Sequence, residues 1–178
     1  MGSIQQPGKC LFLLAAFSRH LGALQWARHQ AQQAWGRVHI ESTLRDFSDT
    51  SYYEASMGPN LKKVLWGFGE LGDSERLVDL KRQTNEWEVE YAADNDSPEP
   101  RPLNLDPGYL TEAKLVLATT KDRDHRIYLG KGIFAEVTLT YRQGAWSKNP
   151  WTYPDYQSDE YHQFFSRCRE FLREQNRR

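Results

Sequence analysis

The first forty residues change from a continuous apolar run to a helical spacing of apolar positions. Residues 10–17 are all apolar, which at this length is typical of a strand covered on both faces. Apolar residues then recur about every 3.6 positions through 21–35, predicting a helix that Gly36 ends. Alternation of apolar and polar residues over 38–44 predicts a half-buried strand.

The middle of the chain is predicted to hold one more strand and a second helix. Residues 49–60 are irregular, whereas the alternating Val64, Trp66 and Phe68 indicate a strand that Gly67 and Gly69 weaken. Asp73 or Ser74 is expected to cap a helix. Its apolar face consists of Leu77, Leu80, Thr84, Trp87 and Tyr91. The polar segment 94–102 follows, and we expect it to be a flexible loop.

The second half is predicted to be mainly strands. Residues 103–109 are expected to run from a strand into a turn, since Pro107-Gly108 is typical of a type II turn. Residues 114–117 fit a strand as well as a short helix capped by Thr111. Two strands, Arg126–Leu129 and Ile133–Arg142, are expected to form a hairpin. The alternation in the second strand places five residues on one face: Ile133, Ala135, Val137, Leu139 and Tyr141.

The last predicted element is an amphipathic helix that Ser158 caps. Its apolar stripe is Tyr161, Phe164, Phe165, Cys168 and Leu172. The mixture of strands and helices predicts an α+β fold with a mixed or antiparallel sheet and helices packed mainly on one side. The length of 178 residues fits a single domain over 1–178, and 23 aromatic side chains (6 Trp, 9 Tyr, 8 Phe) supply its core.

Composition excludes several classes of protein. The net charge of −1 excludes a generally basic nucleic-acid coat, so RNA binding is the weakest of the functions considered. Two cysteines are too few for a disulfide scaffold, and we expect both to be reduced and buried in a cytoplasmic protein. The apolar run 10–17 is shorter than the roughly 18–20 residues that span a membrane. It faintly resembles a secretory signal, but polar residues 18–20 follow it without a cleavage site.

Basic side chains are concentrated around the predicted hairpin. They are Lys114, Lys121, Arg123, Arg126 and Lys131, with His125 among them. Converging lysine and arginine side chains bind phosphate or carboxylate groups. The alternative is a solvated loop whose charges Asp122 and Asp124 neutralise.

Four acidic residues lie near predicted turns or strands and are candidates for binding Mg²⁺ or for acid–base chemistry. They are Glu54, Asp106, Glu136 and Asp155. Asp106 is also compatible with a turn carboxylate and Glu136 with a solvent-facing one. The aromatic segment 151–156 fits either stacking on a ligand ring or locking the last helix onto the sheet.

Several stretches together resemble a mainly bacterial family known as domain of unknown function 4416. The matching stretches are Tyr52-Tyr53-Glu54, Met57-Gly58, Lys81, Thr84-Asn85, 104–110, 115–119, Lys121, 125–128, Gly132-Ile133, 135–139 and 151–156. The family usually has a second acid just before Met-Gly, where this chain has Ser56. The resemblance implies one domain along the whole chain and no established activity.

Some members of that family are labelled GTP-binding proteins, but this sequence has no P-loop. Gly130-Lys131 is followed by glycine, and the position five residues before Gly130 is His125. No Ser-His-Asp or Cys-His arrangement is recognisable, so no catalytic residue is assigned and enzymatic activity stays open.

We therefore predict a small domain that binds a phosphate-bearing small molecule or nucleotide, with Mg²⁺ as the candidate metal. The predicted ligand-binding residues are Asp106, Lys121, His125, Arg126, Lys131 and Glu136. Secondary candidates are Tyr53, Glu54, Asn104 and Asp155. The alternative is a non-enzymatic adaptor domain whose aromatic and basic surface contacts another protein.

Overall fold

An antiparallel sheet is the centre of the fold. The computed structural model describes residues 2–50 and 52–177, and within them nine strands form one sheet. The strands are β1 (Cys10–Ser18), β2 (Val38–Glu41), β3 (Arg45–Asp46), β4 (Lys62–Gly72), β5 (Asn104–Leu110), β6 (Lys114–Thr119), β7 (Ile127–Gly130), β8 (Ile133–Arg142) and β9 (Ala145–Lys148). Their order is β2-β4-β1-β5-β6-β8-β7, with β3 added to β4 and β9 to β8.

Helices cover both faces of this sheet. The α-helices are α1 (Leu21–Trp35), α2 (Glu54–Met57), α3 (Leu77–Asp94) and α4 (Asp159–Asn176), and 3₁₀ turns span Ser74–Arg76 and Pro154–Gln157. The core on one face includes residues of α1 and α3, and the core on the other includes residues of α4. The α+β class and the antiparallel sheet are confirmed. The predicted placement of helices mainly on one side holds for α1 and α3 but not for α4, which packs on the opposite face because β1 is apolar on both faces. In the described part of the chain no helix has the length and apolar character needed to cross a membrane.

Strand β1 is buried on both faces, as its continuous apolar sequence predicts. Phe12, Leu14 and Ala16 belong to the core beneath α1 and α3. The alternate residues Leu11, Leu13 and Ala15 belong to the core beneath α4. Because successive side chains in a strand point to opposite faces, only an all-apolar strand can serve two cores.

The predicted helices are confirmed with one change at a boundary. The stripe of α4 is buried, and the Ser158 hydroxyl accepts a hydrogen bond from the Tyr161 amide at 3.4 Å. Gly36 ends α1 with a φ of 91°. Helix α3 begins only at Leu77, because residues 74–76 form a 3₁₀ turn and the Asp73 carboxylate binds the Lys9 ammonium at 2.8 Å instead of capping. Both cysteines are buried free thiols, as predicted.

The predicted turn at Pro107-Gly108 is wrong, because both residues lie inside β5. Pro107 pairs with Leu14 of β1, and β6 pairs with β5 only from Gly108 onward. The strand therefore has a free side at Pro107, where a residue without an N–H group is tolerated. Residues 114–117 form strand β6, which decides between the two alternatives left open by the sequence.

The predicted single apolar face of β8 is also wrong, because the strand contains a β-bulge. Leu115 of β6 pairs with Leu139, but the next residue, Val116, pairs with Val137, so Thr138 is the extra residue. An extra residue reverses the alternation of side chains beyond it. Ile133, Ala135 and Val137 consequently pack on the opposite face of the sheet from Leu139 and Tyr141.

The segment 94–102 contains a buried carboxylate. Glu99 is 9% exposed and binds Arg19 Nη1 at 2.7 Å and His20 Nε2 at 2.9 Å. Hydrogen bonds from His20 and Ser97 lower the pKa of Glu99 to about 2. These contacts fasten the middle of the segment to the start of α1, and the flexibility of the segment stays a prediction.

Candidate functional site

A cleft of about 790 Å³ lies where the sheet opens between β5 and β6. Only residues 108–110 of β5 pair with residues 115–117 of β6. Residues 104–106 of β5 pair only with β1, and residues 118–119 of β6 pair only with β8. The two strands therefore separate toward one end of the sheet. The space between them is lined by both strands, by α3, and by residues 47, 49–50, 52–53, 119–121, 123, 125–126, 151 and 153–156.

One wall of the cleft is an ion cluster around Glu136 of β8. Its side chain is 3% exposed, and Oε2 accepts a hydrogen bond from Arg126 Nε at 2.8 Å. His125 Nε2 lies 3.1 Å from the same oxygen. Arg126 also donates to the Lys121 carbonyl at 2.9 Å and to the Tyr153 hydroxyl at 3.1 Å. The cluster thus fixes the loop 120–126 against β8 and against the aromatic segment.

The bulge in β8 places Trp151 beside this cluster. The carbonyl of Val137, next to the bulge, accepts hydrogen bonds from Asn149 Nδ2 at 2.7 Å and Trp151 Nε1 at 3.0 Å. The Trp151 ring in turn stacks on His125, with centroids 4.9 Å apart and planes 11° from parallel. The local irregularity of the strand therefore determines where an aromatic ring of the cleft lies.

The opposite wall is a polar network around Asp106 of β5. Lys81 Nζ of α3 lies 3.3 Å from Asp106 Oδ1 and donates to the Leu105 carbonyl at 2.8 Å. Asn104 Nδ2 donates to Asp106 Oδ2 at 2.8 Å. Arg101 extends the network, since it donates to Asn104 Oδ1 at 2.6 Å. All the described charges on this wall have protein partners.

Between the walls lies a buried ion pair. Lys63 Nζ of β4 is 2.5 Å from Asp155 Oδ2, and the two side chains are 5% and 3% exposed. The ammonium also lies 4.6 Å from the ring centre of Tyr156 and 4.7 Å from that of Phe47. Carboxylate and rings together surround the charge, so this pair holds the aromatic segment to the sheet.

Two cations at the mouth of the cleft have no carboxylate partner. Among residues 2–50 and 52–177 no acidic oxygen lies within ion-pair distance of Lys121 or Arg123. Lys121 Nζ donates to the Tyr52 hydroxyl at 3.2 Å and lies 4.7 Å from the centre of that ring. This hydrogen bond lowers the pKa of Tyr52, whereas burial raises the pKa of the neighbouring Tyr53.

Most of the predicted site residues line this one cleft. They are Asp106, Lys121, His125, Arg126 and Glu136, together with the secondary candidates Tyr53, Asn104 and Asp155. Lys131 lies outside the cleft, at the turn of the hairpin, where its exposed Nζ is 3.2 Å from Asp79 Oδ1. Glu54 is exposed at the start of α2. Asp106 is not a turn carboxylate, and Glu136 is buried and paired rather than solvent-facing.

Sequence analysis missed Lys63, Lys81 and Glu88 of the cleft. A signal existed for the two residues on α3, since Leu77, Lys81, Thr84 and Glu88 are spaced by four, three and four positions. That spacing places both charged residues on the apolar face of the helix, where charges need partners. In the described chain, however, no group of three or more His, Cys, Asp or Glu side chains is arranged to hold a metal ion. We therefore assign no residue as a ligand for Mg²⁺.

Comparison with known proteins identifies a family without supplying an activity. No curated protein matches the chain in sequence. The model of a family described as a domain of unknown function, DUF4416, matches residues 8–171. Because this match covers nearly the whole chain, the chain belongs to that family.

Proposed function

We propose that this domain binds a phosphate-bearing small molecule, such as a nucleotide, in the cleft between β5 and β6. The observation that carries the proposal is the pair of cations at its mouth. Lys63, Lys81 and Arg126 are each matched by a carboxylate, whereas Lys121 and Arg123 are not. Asp122 and Asp124 of the same loop are not among the described residues that line the cleft. An anionic ligand would supply the missing negative charge.

Aromatic side chains beside these cations support a ligand that also carries a ring. Tyr52, Trp151 and Tyr153 line the cleft and are 67%, 36% and 44% exposed. Large rings that keep this much exposed surface next to cations are suited to stacking on a flat ligand group. The volume of about 790 Å³ is also within the usual range of about 300–1,000 Å³ for small-molecule sites.

We propose two different roles for the basic residues of the loop 120–126. Arg126 already donates to three protein groups and its side chain is only 6% exposed, so its proposed role is to position the loop. Lys121 and Arg123 are exposed, and we propose that they contact the anion directly.

Loss of both exposed cations is expected to weaken ligand binding without unfolding the domain. In the double variant Lys121→Ala/Arg123→Ala, the affinity for ATP, GTP or inorganic tripolyphosphate should fall by about tenfold per lost cation, since each removes a charge-assisted hydrogen bond. Isothermal titration calorimetry at low ionic strength measures the affinity. Thermal melts should show a ligand-induced stabilisation in the wild type that the variant lacks.

Lys131→Ala is the matched control, because Lys131 belongs to the same basic stretch but lies outside the cleft. It should bind the three probes as the wild type does. The proposal is contradicted if millimolar ATP, GTP and tripolyphosphate all fail to bind, or if the double variant binds them as tightly as Lys131→Ala does.

A second candidate function is that of an adaptor, and the exposed edge of the sheet favours it. Strand β7 pairs only with β8 in the described structure, and its Ile127, Tyr128 and Leu129 are 70%, 59% and 43% exposed. An apolar edge strand is a template for pairing with an extended segment of another protein. We propose this role only for β7.

The adaptor role is tested by blocking the edge. Tyr128→Pro removes a backbone N–H group from β7, and Leu129→Lys adds a charge to the edge. A partner recovered by the wild type should be lost with both variants and kept by Lys121→Ala/Arg123→Ala. Loss with the cleft variant alone would assign the partner to the cleft.

A further inference from the structure

Glu136 has one carboxylate oxygen that no described residue satisfies. Oε2 receives Arg126 and His125, but Oε1 is buried and has no hydrogen-bond partner in the described chain. The residue is 4% exposed and lines the cleft. Because a buried acceptor without a partner is disfavoured, such atoms are usually satisfied by protein, water or a bound ligand.

The surroundings of Glu136 fix the orientation of its carboxylate. Arg126 is anchored by the Lys121 carbonyl and the Tyr153 hydroxyl, and His125 is anchored by its stacking on Trp151. The two donors therefore hold the carboxylate in one orientation, in which one oxygen receives both of them and the other receives none. A rigid acceptor on a strand is the arrangement that selects ligands by a hydrogen bond.

We infer that Glu136 Oε1 accepts a hydrogen bond from the ligand of this cleft, so the ligand combines an anionic group with an N–H or O–H donor. The inference rests on the proposed function, and it narrows the ligand from any phosphate-bearing anion to one with such a donor. A nucleoside phosphate supplies the donor in two ways, as a hydroxyl of the sugar or as an N–H group of the base. Arg126 and His125 are positioning residues for this contact.

The variant Glu136→Gln tests the contact with little change of shape. With its amide oxygen in the place of Oε2, the glutamine keeps the acceptor for Arg126 and puts an NH₂ donor in the place of Oε1. A ligand donor would then face a protein donor. We expect ATP or GTP, whichever the wild type binds more tightly, to bind at least tenfold more weakly to the variant by calorimetry.

Inorganic tripolyphosphate is the matched control ligand, because it carries the anionic charge without a base or a sugar. Its affinity should stay the same or rise in Glu136→Gln, since the substitution removes a negative charge from the cleft. A decrease restricted to the nucleotide therefore cannot be an effect of charge. Far-ultraviolet circular dichroism and thermal melts establish that the variant is folded.

Ligand analogues test the same contact in the unaltered protein. The 2′-deoxy and 3′-deoxy forms each remove one sugar donor. Inosine triphosphate removes the exocyclic amine of GTP, and purine riboside triphosphate removes the exocyclic amine of ATP or, compared with GTP, both N1–H and the exocyclic amine. Removal of one of these donors should weaken binding to the wild type about tenfold and leave binding to Glu136→Gln unchanged. The analogue that does so identifies the source of the donor.

The outcomes separate this inference from the proposed function. If tripolyphosphate binds the wild type but Glu136→Gln binds the nucleotide with unchanged affinity, the inference is overturned and the anion site stands. If every analogue binds the wild type within twofold of its parent nucleotide, the inference is also overturned, whether or not the variant folds. If the wild type binds neither tripolyphosphate nor a nucleotide, the proposed function is overturned, and the inference with it.

Discussion

Replacing Asp155 by alanine is expected to lower the free energy of unfolding by about 3–5 kcal/mol, the usual loss when one partner of a buried ion pair is removed. Lys63, whose side chain is 5% exposed, would be left with no carboxylate in contact. The rings of Phe47 and Tyr156 would compensate only in part, since they offer no hydrogen-bond acceptor of comparable strength. Urea unfolding followed by tryptophan fluorescence measures the loss.

Asp46→Ala is the matched control, because Asp46 binds the neighbouring lysine of the same strand. Lys62 Nζ lies 2.6 Å from Asp46 Oδ1, but the two side chains are 39% and 75% exposed. An exposed pair of this kind contributes about 0.2–1 kcal/mol. The two substitutions thus remove the same chemical contact in different surroundings. Equal losses would show that burial does not determine the importance of the Lys63–Asp155 pair.

The double variant Lys63→Met/Asp155→Leu separates loss of the pair from loss of packing. Replacing both charges by apolar side chains leaves no unpaired charge, so much of the stability lost in Asp155→Ala should return. A double variant that is less stable than Asp155→Ala would mean that the pair itself, rather than the orphaned charge, maintains the fold.

The three long helices α1, α3 and α4 were predictable from the sequence because their information is local, whereas the four-residue α2 lies in a stretch predicted to be irregular. The stripe of α4 needs only a spacing of three and four residues and a serine at its start, and both lie within fifteen residues. Strand β1 was predictable for the same reason, as its apolar run is contiguous. Local patterns of this kind predict an element wherever no distant segment interferes with it.

Features that depend on distant segments were not predictable in this way. The bulge at Thr138 leaves no mark in the alternation of β8, and the segment 149–152 that bonds to it lies beyond another strand. Lys63 and Asp155 are 92 positions apart. Part of the candidate site was nevertheless predictable, because Lys121, His125, Arg126 and Glu136 are close in sequence and the hairpin brings them together.

Gly108 shows how a correct residue pattern led to a wrong structure. Proline followed by glycine favours a turn because glycine tolerates a positive φ, yet Gly108 is not among the glycines with positive φ. Position 108 requires glycine for another reason, which is the lack of space for a Cβ atom. A Cβ atom at this position would lie 2.4 Å from the Val116 carbonyl oxygen of the adjacent strand and 2.7 Å from a methyl group of Leu117.

Gly108→Ala is therefore expected to lower the free energy of unfolding by about 3 kcal/mol, the upper end of the usual range for overpacking. The contact is with backbone, so a rotamer change cannot relieve it, and β5 and β6 would have to separate just where their pairing begins. Urea unfolding measures the loss.

Gly69→Ala in β4 is the control, since a Cβ there makes an ordinary contact of 3.5 Å with His39. Its stability should stay unchanged or rise by up to about 1 kcal/mol, because alanine restricts the unfolded chain. Equal stability of the two variants would show that β5 and β6 lie farther apart at Gly108 than this geometry requires.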